Sequence, residues 1–277
     1  MKHYFRIATM AVVALILTAC GSKESGKKHL VLYYSQTGAT EAVALELQKS
    51  LGADIEAIQL VEPYSGTYAE TIERAGKERQ EGILPELKPL KADLAKYETI
   101  FLGYPIWYGT YAMPIHSLVK NIDFEGKKIV TFCTFGSGGL EPAIADLKKA
   151  LPKAIVAENG FGIRNARIAA TSKELNRFLV ENNYVEGSVE ALPGYSESRP
   201  VTEQEKQIFD AACGDYQFPL GNPVFVGKRG TNDGVDYMFS VENSGTTSTI
   251  YVTVSNEEGA KPEFTRVVRK LLFSKYY

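Results

Sequence analysis

Apolar and polar positions fall into alternating blocks from residue 29 to residue 185. The run His29 to Ser35 (HLVLYYS) predicts a short strand, and Glu41 to Leu51 puts Val43, Leu47 and Leu51 on one helical face before Gly52 ends it. Asp54 to Val61 predicts a second strand and Tyr68 to Glu81 a polar surface helix. Thr99 to Tyr104 (TIFLGY) and Lys128 to Thr134 (KIVTFCT) predict a third and a fourth strand. Leu140 to Leu151 reads as a helix and Ala154 to Ala157 as the start of a fifth strand. Thr171 with Glu174 spells a capping box ahead of Leu175, Phe178 and Leu179. Apolar strands separated by helices favour an α/β fold whose parallel sheet is covered on both faces.

Beyond about residue 185 the pattern changes. Gly187 to Pro200 is rich in Gly, Pro and Ser, so 186–200 reads as a linker. Thr202-Glu203-Gln204-Glu205 is a second capping box, opening a helix to about Cys213. Strands are predicted at Pro223 to Lys228, Val235 to Glu242 and Thr247 to Ser255, separated by the turn signals at 230–234 and 243–245. Pro262 then leads a segment with Val267, Val268, Leu271 and Leu272 on one helical face. Residues 201–277 thus form a small α+β module, too small for an ample core of its own and expected to pack on its neighbour.

The amino end has the pattern of a processing segment. Lys2 and Arg6 precede the apolar run Ile7 to Leu17, and Thr18-Ala19-Cys20-Gly21 supplies small residues at a cut site. The run is shorter than the ~20 residues needed to cross hydrocarbon, which argues against a permanent membrane helix. Leu17-Thr18-Ala19-Cys20 is similar to the lipobox of bacterial lipoproteins. That likeness implies a signal peptide over 1–19, lipidation at Cys20, a polar tether over 20–28, and a place in the bacterial cell envelope facing an extracytoplasmic space. An ordinary signal peptide with a chance cysteine is the alternative.

Composition narrows the function. With 277 residues, 44% hydrophobic and 23% charged, disorder and collagen are excluded. A formal charge of −2 gives no general pull toward nucleic acid. Three cysteines and three histidines, widely scattered, suit neither a disulfide framework nor a metal site. Cys133 reads as a core residue and Cys213 as the end of a helix, with pairing between them left open.

The candidate chemistry lies in three loops, each after a predicted strand. Ser35-Gln36-Thr37-Gly38-Ala39-Thr40 brings hydroxyls and a pliant glycine to the positive end of a helix, a nest of donors for one phosphate. It has no lysine and no GxxxxGK[ST] pattern, so a nucleoside triphosphate is poorly served. Pro105-Ile106-Trp107-Tyr108-Gly109 offers aromatics for stacking on a planar ring, or else a core plug. Thr134-Phe135-Gly136-Ser137-Gly138-Gly139 lets backbone donors approach a flat ligand edge. A hydrolase nucleophile elbow is disfavoured there because Gly136 directly precedes Ser137, and nothing positions His116 as a base.

In a doubly wound sheet ligands sit at the carboxyl ends of the strands near the switch in strand order, where the first two loops meet. Taken with Val61-Glu62-Pro63-Tyr64, Pro85-Glu86-Leu87 and Gly103-Tyr104, these loops make residues 29–185 resemble the flavodoxins, specifically a short-chain bacterial branch. The resemblance implies a five-stranded sheet in order 2-1-3-4-5 and noncovalently bound FMN. It implies the phosphate at Ser35 to Thr40, one face of the isoalloxazine at Pro105 to Gly109 with Trp107 or Tyr108 stacked on it, and the pyrimidine edge at Thr134 to Gly139. It does not extend to residues 200–277. The reading is a membrane-anchored electron-transfer protein serving a redox protein or a small-molecule acceptor. An NAD(P)H-dependent FMN quinone reductase and a binding lipoprotein with a decayed flavin site are the alternatives.

Overall fold

The computed structural model describes residues 29–269, so the expected signal peptide, Cys20, the expected tether, Leu271 and Leu272 lie outside the described residues. The chain runs through β1 (His29–Tyr33), α1 (Ala39–Leu51), β2 (Asp54–Ala57), α2 (Tyr68–Glu81), β3 (Thr99–Trp107), β4 (Thr110–Tyr111) and α3 (Met113–Asn121). It continues with β5 (Lys128–Phe135), α4 (Leu140–Ala150), β6 (Ile155–Val156), β7 (Phe161–Arg164) and α5 (Thr171–Glu181). The order is β2-β1-β3-β5, with β6 and β7 following one another along β5 as a broken fifth position, all parallel. This is the α/β fold in the expected order 2-1-3-4-5, with the short β4 folded back antiparallel on β3. Leu30 and Leu32 join Ile100, Leu102, Ile115, Leu118 and Leu147 in one core; Val31 joins Phe101, Val130, Val43, Leu47, Leu175 and Leu179 in the other. A strand buried on both faces has no polar alternation, which is why these runs are continuously apolar.

Three local features differ from the sequence expectation. Helix α3 was not anticipated; it begins on Met113 and Pro114, where a proline suits the first turn. Strand β3 runs on through Pro105 and Ile106 to Trp107 and turns back by a hairpin. The capping box at Thr171 is not formed: the Thr171 hydroxyl donates to the Ile168 carbonyl at 2.6 Å and Glu174 pairs with Arg167 at 2.6 Å. The Arg167 guanidinium, from the segment that precedes α5, outcompetes the helix amides for that carboxylate.

The second part of the chain comprises β8 (Arg199–Pro200), α6 (Glu203–Cys213), β9 (Asn222–Thr231), β10 (Gly234–Asn243), β11 (Thr246–Ser255) and β12 (Glu263–Arg269). Its sheet is antiparallel in order β12-β11-β10-β9-β8, so the last two residues of the expected linker add a strand. The capping box at the start of α6 is present, with Thr202 and Glu205 each bonding the other's backbone amide. Residues 263–269 are a strand, correcting the helix expected there. The spacing of Val267 and Val268 with Leu271 and Leu272 fits a helix, but β-branched Val267 and Val268 suit the edge of a sheet and pair with Ile250 and Thr249 of β11. Phe209 and Cys213 of α6 pack on Val226, Phe239, Ile250, Val252, Phe264 and Val267. Cys133 lies in one of the two cores of the parallel sheet, and both thiols are free and buried.

Candidate functional site

The first loop joins β1 to α1. Gly38 takes a left-handed φ of 87° and is the N-cap of α1, with no side chain capping the helix. The helix therefore presents its orphan amides and the positive end of its dipole to whatever lies in front of the loop. Ser35 folds its Oγ back to accept the Gly38 amide at 3.1 Å, setting the curl, while Thr37 is exposed. Thr40 is turned inward, its hydroxyl 2.8 Å from that of Thr134 at the end of β5, so it offers a ligand its amide rather than its side chain. The single acidic residue of the first turn, Glu41, is engaged by the Tyr33 hydroxyl at 3.1 Å.

The second loop is the β3–β4 hairpin. Its two turn residues, Tyr108 and Gly109, have φ of 53° and 81°, as a primed two-residue turn requires. Trp107 is only 6% exposed and meets Tyr34 and Tyr64 edge-on at 5.9 and 5.3 Å. Tyr108 is 45% exposed; its hydroxyl donates to the Ile72 carbonyl of α2 at 2.6 Å, and the Arg79 guanidinium lies 5.6 Å from its ring centre. Pro105 and Ile106 are half-buried between.

In the third loop Thr134 and Phe135 are buried at the end of β5, and Gly136 to Gly139 lead into α4. A Cβ on Gly139 would lie 2.7 Å from Ile106 Cγ2 and 3.6 Å from the Gly109 carbonyl, so the second and third loops touch. With the Thr40–Thr134 contact, all three sequence-predicted loops gather at the carboxyl end of the parallel sheet. Each of the seventeen cofactor residues expected from sequence is in one of them.

A family model described as flavodoxin matches residues 28–182. The chain belongs to the flavodoxin family. Among solved structures, one described as a flavoprotein from Bacteroides uniformis is 26% identical, covering 55% of this chain and 99% of its own, with a TM-score of 0.48. Another so described, from Bacteroides eggerthii, is 25% identical over 57% of this chain and 99% of its own, with a TM-score of 0.47. A flavoprotein in complex with FMN from Lactobacillus acidophilus is 22% identical over 53% and 99%, with a TM-score of 0.45. No curated protein matches the chain.

Within the flavodoxin part, the structure adds a polar brace that motif reading missed. The Tyr34 hydroxyl donates to Gln36 at 2.5 Å, and Gln36 Nε2 donates to the Tyr64 carbonyl at 3.3 Å. The Tyr64 hydroxyl bonds Glu78, which also accepts from Arg74 Nε at 2.9 Å, and the Arg74 guanidinium covers the Tyr64 ring at 4.4 Å. Burial, chiefly, pushes the Tyr34 and Tyr64 hydroxyls well above the usual tyrosine range, so both remain donors. This brace ties the first loop to the hairpin through Trp107. The i,i+4 pair Arg74–Glu78 is its one signal in the sequence. Burial lowers the His116 pKa and raises that of Cys133, and neither belongs to the three loops. A groove of about 650 Å³ runs elsewhere, along β2, but its Glu56 carboxylate is already taken by the Lys91 and Ala92 amides at 2.7 Å each.

Proposed function

We propose that residues 29–185 bind FMN noncovalently and that the protein is an electron-transfer flavodoxin, held in the bacterial envelope by a lipid on Cys20. The observation that carries the reading is the uncapped N-terminus of α1 under the Ser35–Thr40 loop, beside a hairpin and a glycine loop, in a chain of the flavodoxin family. The residues fit the group: the first loop has hydroxyls and free helix amides for a phosphate, and the hairpin carries an exposed tyrosine.

The hydroxyls of Ser35 and Thr37 and the amides of Ala39 and Thr40 would hold the phosphate, with the Gly38 amide curling the loop onto Ser35, while Gln36 is steered by the Tyr34 and Tyr64 brace. Pro105 to Gly109 would line one side of the isoalloxazine, with Tyr108 the exposed aromatic at its rim, tethered by its hydroxyl to α2, and Trp107 backing the hairpin from within. Thr134 to Gly139 would meet the pyrimidine edge. FMN would supply the redox chemistry, and one-electron transfer needs no side-chain acid or base from the protein. The three loops contain neither histidine nor cysteine, in keeping with that. Donor and acceptor are a redox protein or a small molecule.

The test is anaerobic mixing of the FMN-loaded protein with NAD(P)H. A carrier leaves the nicotinamide unoxidised until a separate reductase is added; direct oxidation would instead make the protein a quinone-reductase-type enzyme. The anchor is tested by Cys20→Ala, which should release the protein from membranes or leave its signal uncleaved.

A further inference from the structure

The carboxyl-terminal module meets the parallel sheet at the third loop. The Val267 amide of β12 donates to the Ser137 carbonyl at 2.7 Å. Arg164, the last residue of β7, donates from Nε to the Gly136 carbonyl and from Nη1 to the Phe264 carbonyl, both at 2.7 Å, with its guanidinium 4.1 Å from the Phe264 ring centre. The return approach is as close: a Cβ on Gly138 would lie 2.2 Å from the Val267 carbonyl oxygen, so only glycine lets β12 lie there. Ion pairs flank the contact, Arg266 with Glu141 at 3.1 Å and Arg167 with Glu263 at 2.9 Å.

These contacts fix more than a distance. In a trans peptide the C=O of one residue and the N–H of the next point in opposite directions from one plane, and no cis bond occurs among the described residues. With the Gly136 carbonyl held toward Arg164, the Ser137 amide is turned away from Arg164. With the Ser137 carbonyl held toward Val267, the Gly138 amide is turned away from β12. Neither amide has a partner among the described residues. Arg164 of β7, itself held by the Phe264 carbonyl of the module, takes the Gly136 carbonyl, and the module's Val267 takes that of Ser137, so the loop's acceptors are consumed and its donors are left.

We propose that the carboxyl-terminal module is a working part of the flavin site. Arg164 and the Val267 amide are positioning groups that keep the Ser137 and Gly138 amides directed at the electron-rich pyrimidine edge. The inference rests on the FMN reading of the same loop. Donors held there favour added negative charge on the ring, so the module raises affinity and makes the bound flavin easier to reduce.

The experiment uses the full chain and compares Arg164→Met and Val267→Pro with wild type in FMN titration, riboflavin titration and the reduction potential of the bound flavin. The Val267 amide is directed to Ser137 from the sheet's edge strand, a position at which proline is tolerated. Each variant should weaken FMN and riboflavin by the same factor, about three- to tenfold for one or two neutral hydrogen bonds, and shift the potential negative. Loss at the phosphate loop would affect FMN alone. Arg164→Lys, with a single donor nitrogen in place of a fork, should show the same pattern at smaller amplitude and decides the matter if Arg164→Met does not fold. Folded variants with wild-type affinity and potential, in a protein that does bind FMN, would overturn this inference alone. Wild-type protein that takes up no FMN would overturn both it and the reading beneath it.

Discussion

Two adjacent aromatic residues do opposite work in the hairpin because the chain reverses between them. The sequence places Trp107 and Tyr108 together and does not say which faces a ligand. The turn sends Trp107 into the contact with Tyr34 and Tyr64 and leaves Tyr108 at the rim. Trp107→Ala should therefore cost about 3–5 kcal/mol of stability, as removal of a buried aromatic does, measured by chemical denaturation. Tyr108→Ala should leave the denaturation midpoint near wild type, while weakening FMN and raising bound-flavin fluorescence. Unchanged affinity and fluorescence in Tyr108→Ala would remove this ring from the flavin wall. At the phosphate loop, Thr37→Ala should weaken FMN by about ten- to hundredfold, the worth of a hydrogen bond to a charged group, and spare riboflavin. Comparable weakening of both ligands would put the phosphate elsewhere.

At the scale of elements, local signals were legible where the chain answers to its near neighbours. The helix at Tyr68–Glu81 and the capping box at Thr202 and Glu205 are read directly from spacing. Reading failed where a partner from outside the element intervened. Arg167 takes Glu174 and dissolves the box expected at Thr171. Pairing with β11 makes a strand of a segment with helical spacing. The box that did form is a stability element with a definite pH dependence. Two hydrogen bonds from Arg199, with help from the Thr202 amide and hydroxyl, hold the Glu205 carboxyl down at about 2, below its ordinary 4.5. A depressed carboxylate contributes its stabilisation above the unfolded value and loses it as pH falls toward the folded one. The module's melting temperature should therefore drop between about pH 4.5 and pH 2. Glu205→Gln should flatten that slope and lower stability at neutral pH. An equally steep acid transition in Glu205→Gln would assign the effect to other carboxylates.

At the scale of the whole molecule, the parallel sheet and its three loops were readable because each βα turn carries its own chemistry within a few residues. The docking of β12 on the third loop was not. Arg164 and the Phe264 carbonyl it grips are 100 residues apart, and no local pattern encodes that meeting. The polar brace behind the hairpin was hidden for the same reason, since Tyr64 and Glu78 are brought to Trp107 only by folding. The proposed function stands on these loops forming one FMN site. Its most direct test is a titration of the purified full-length protein with FMN, followed by flavin absorption and fluorescence, with riboflavin alongside. The account predicts saturation at one FMN per chain, a perturbed flavin spectrum, quenched emission, and tighter binding of FMN than of riboflavin. A flavin spectrum and emission unchanged by the protein would contradict it.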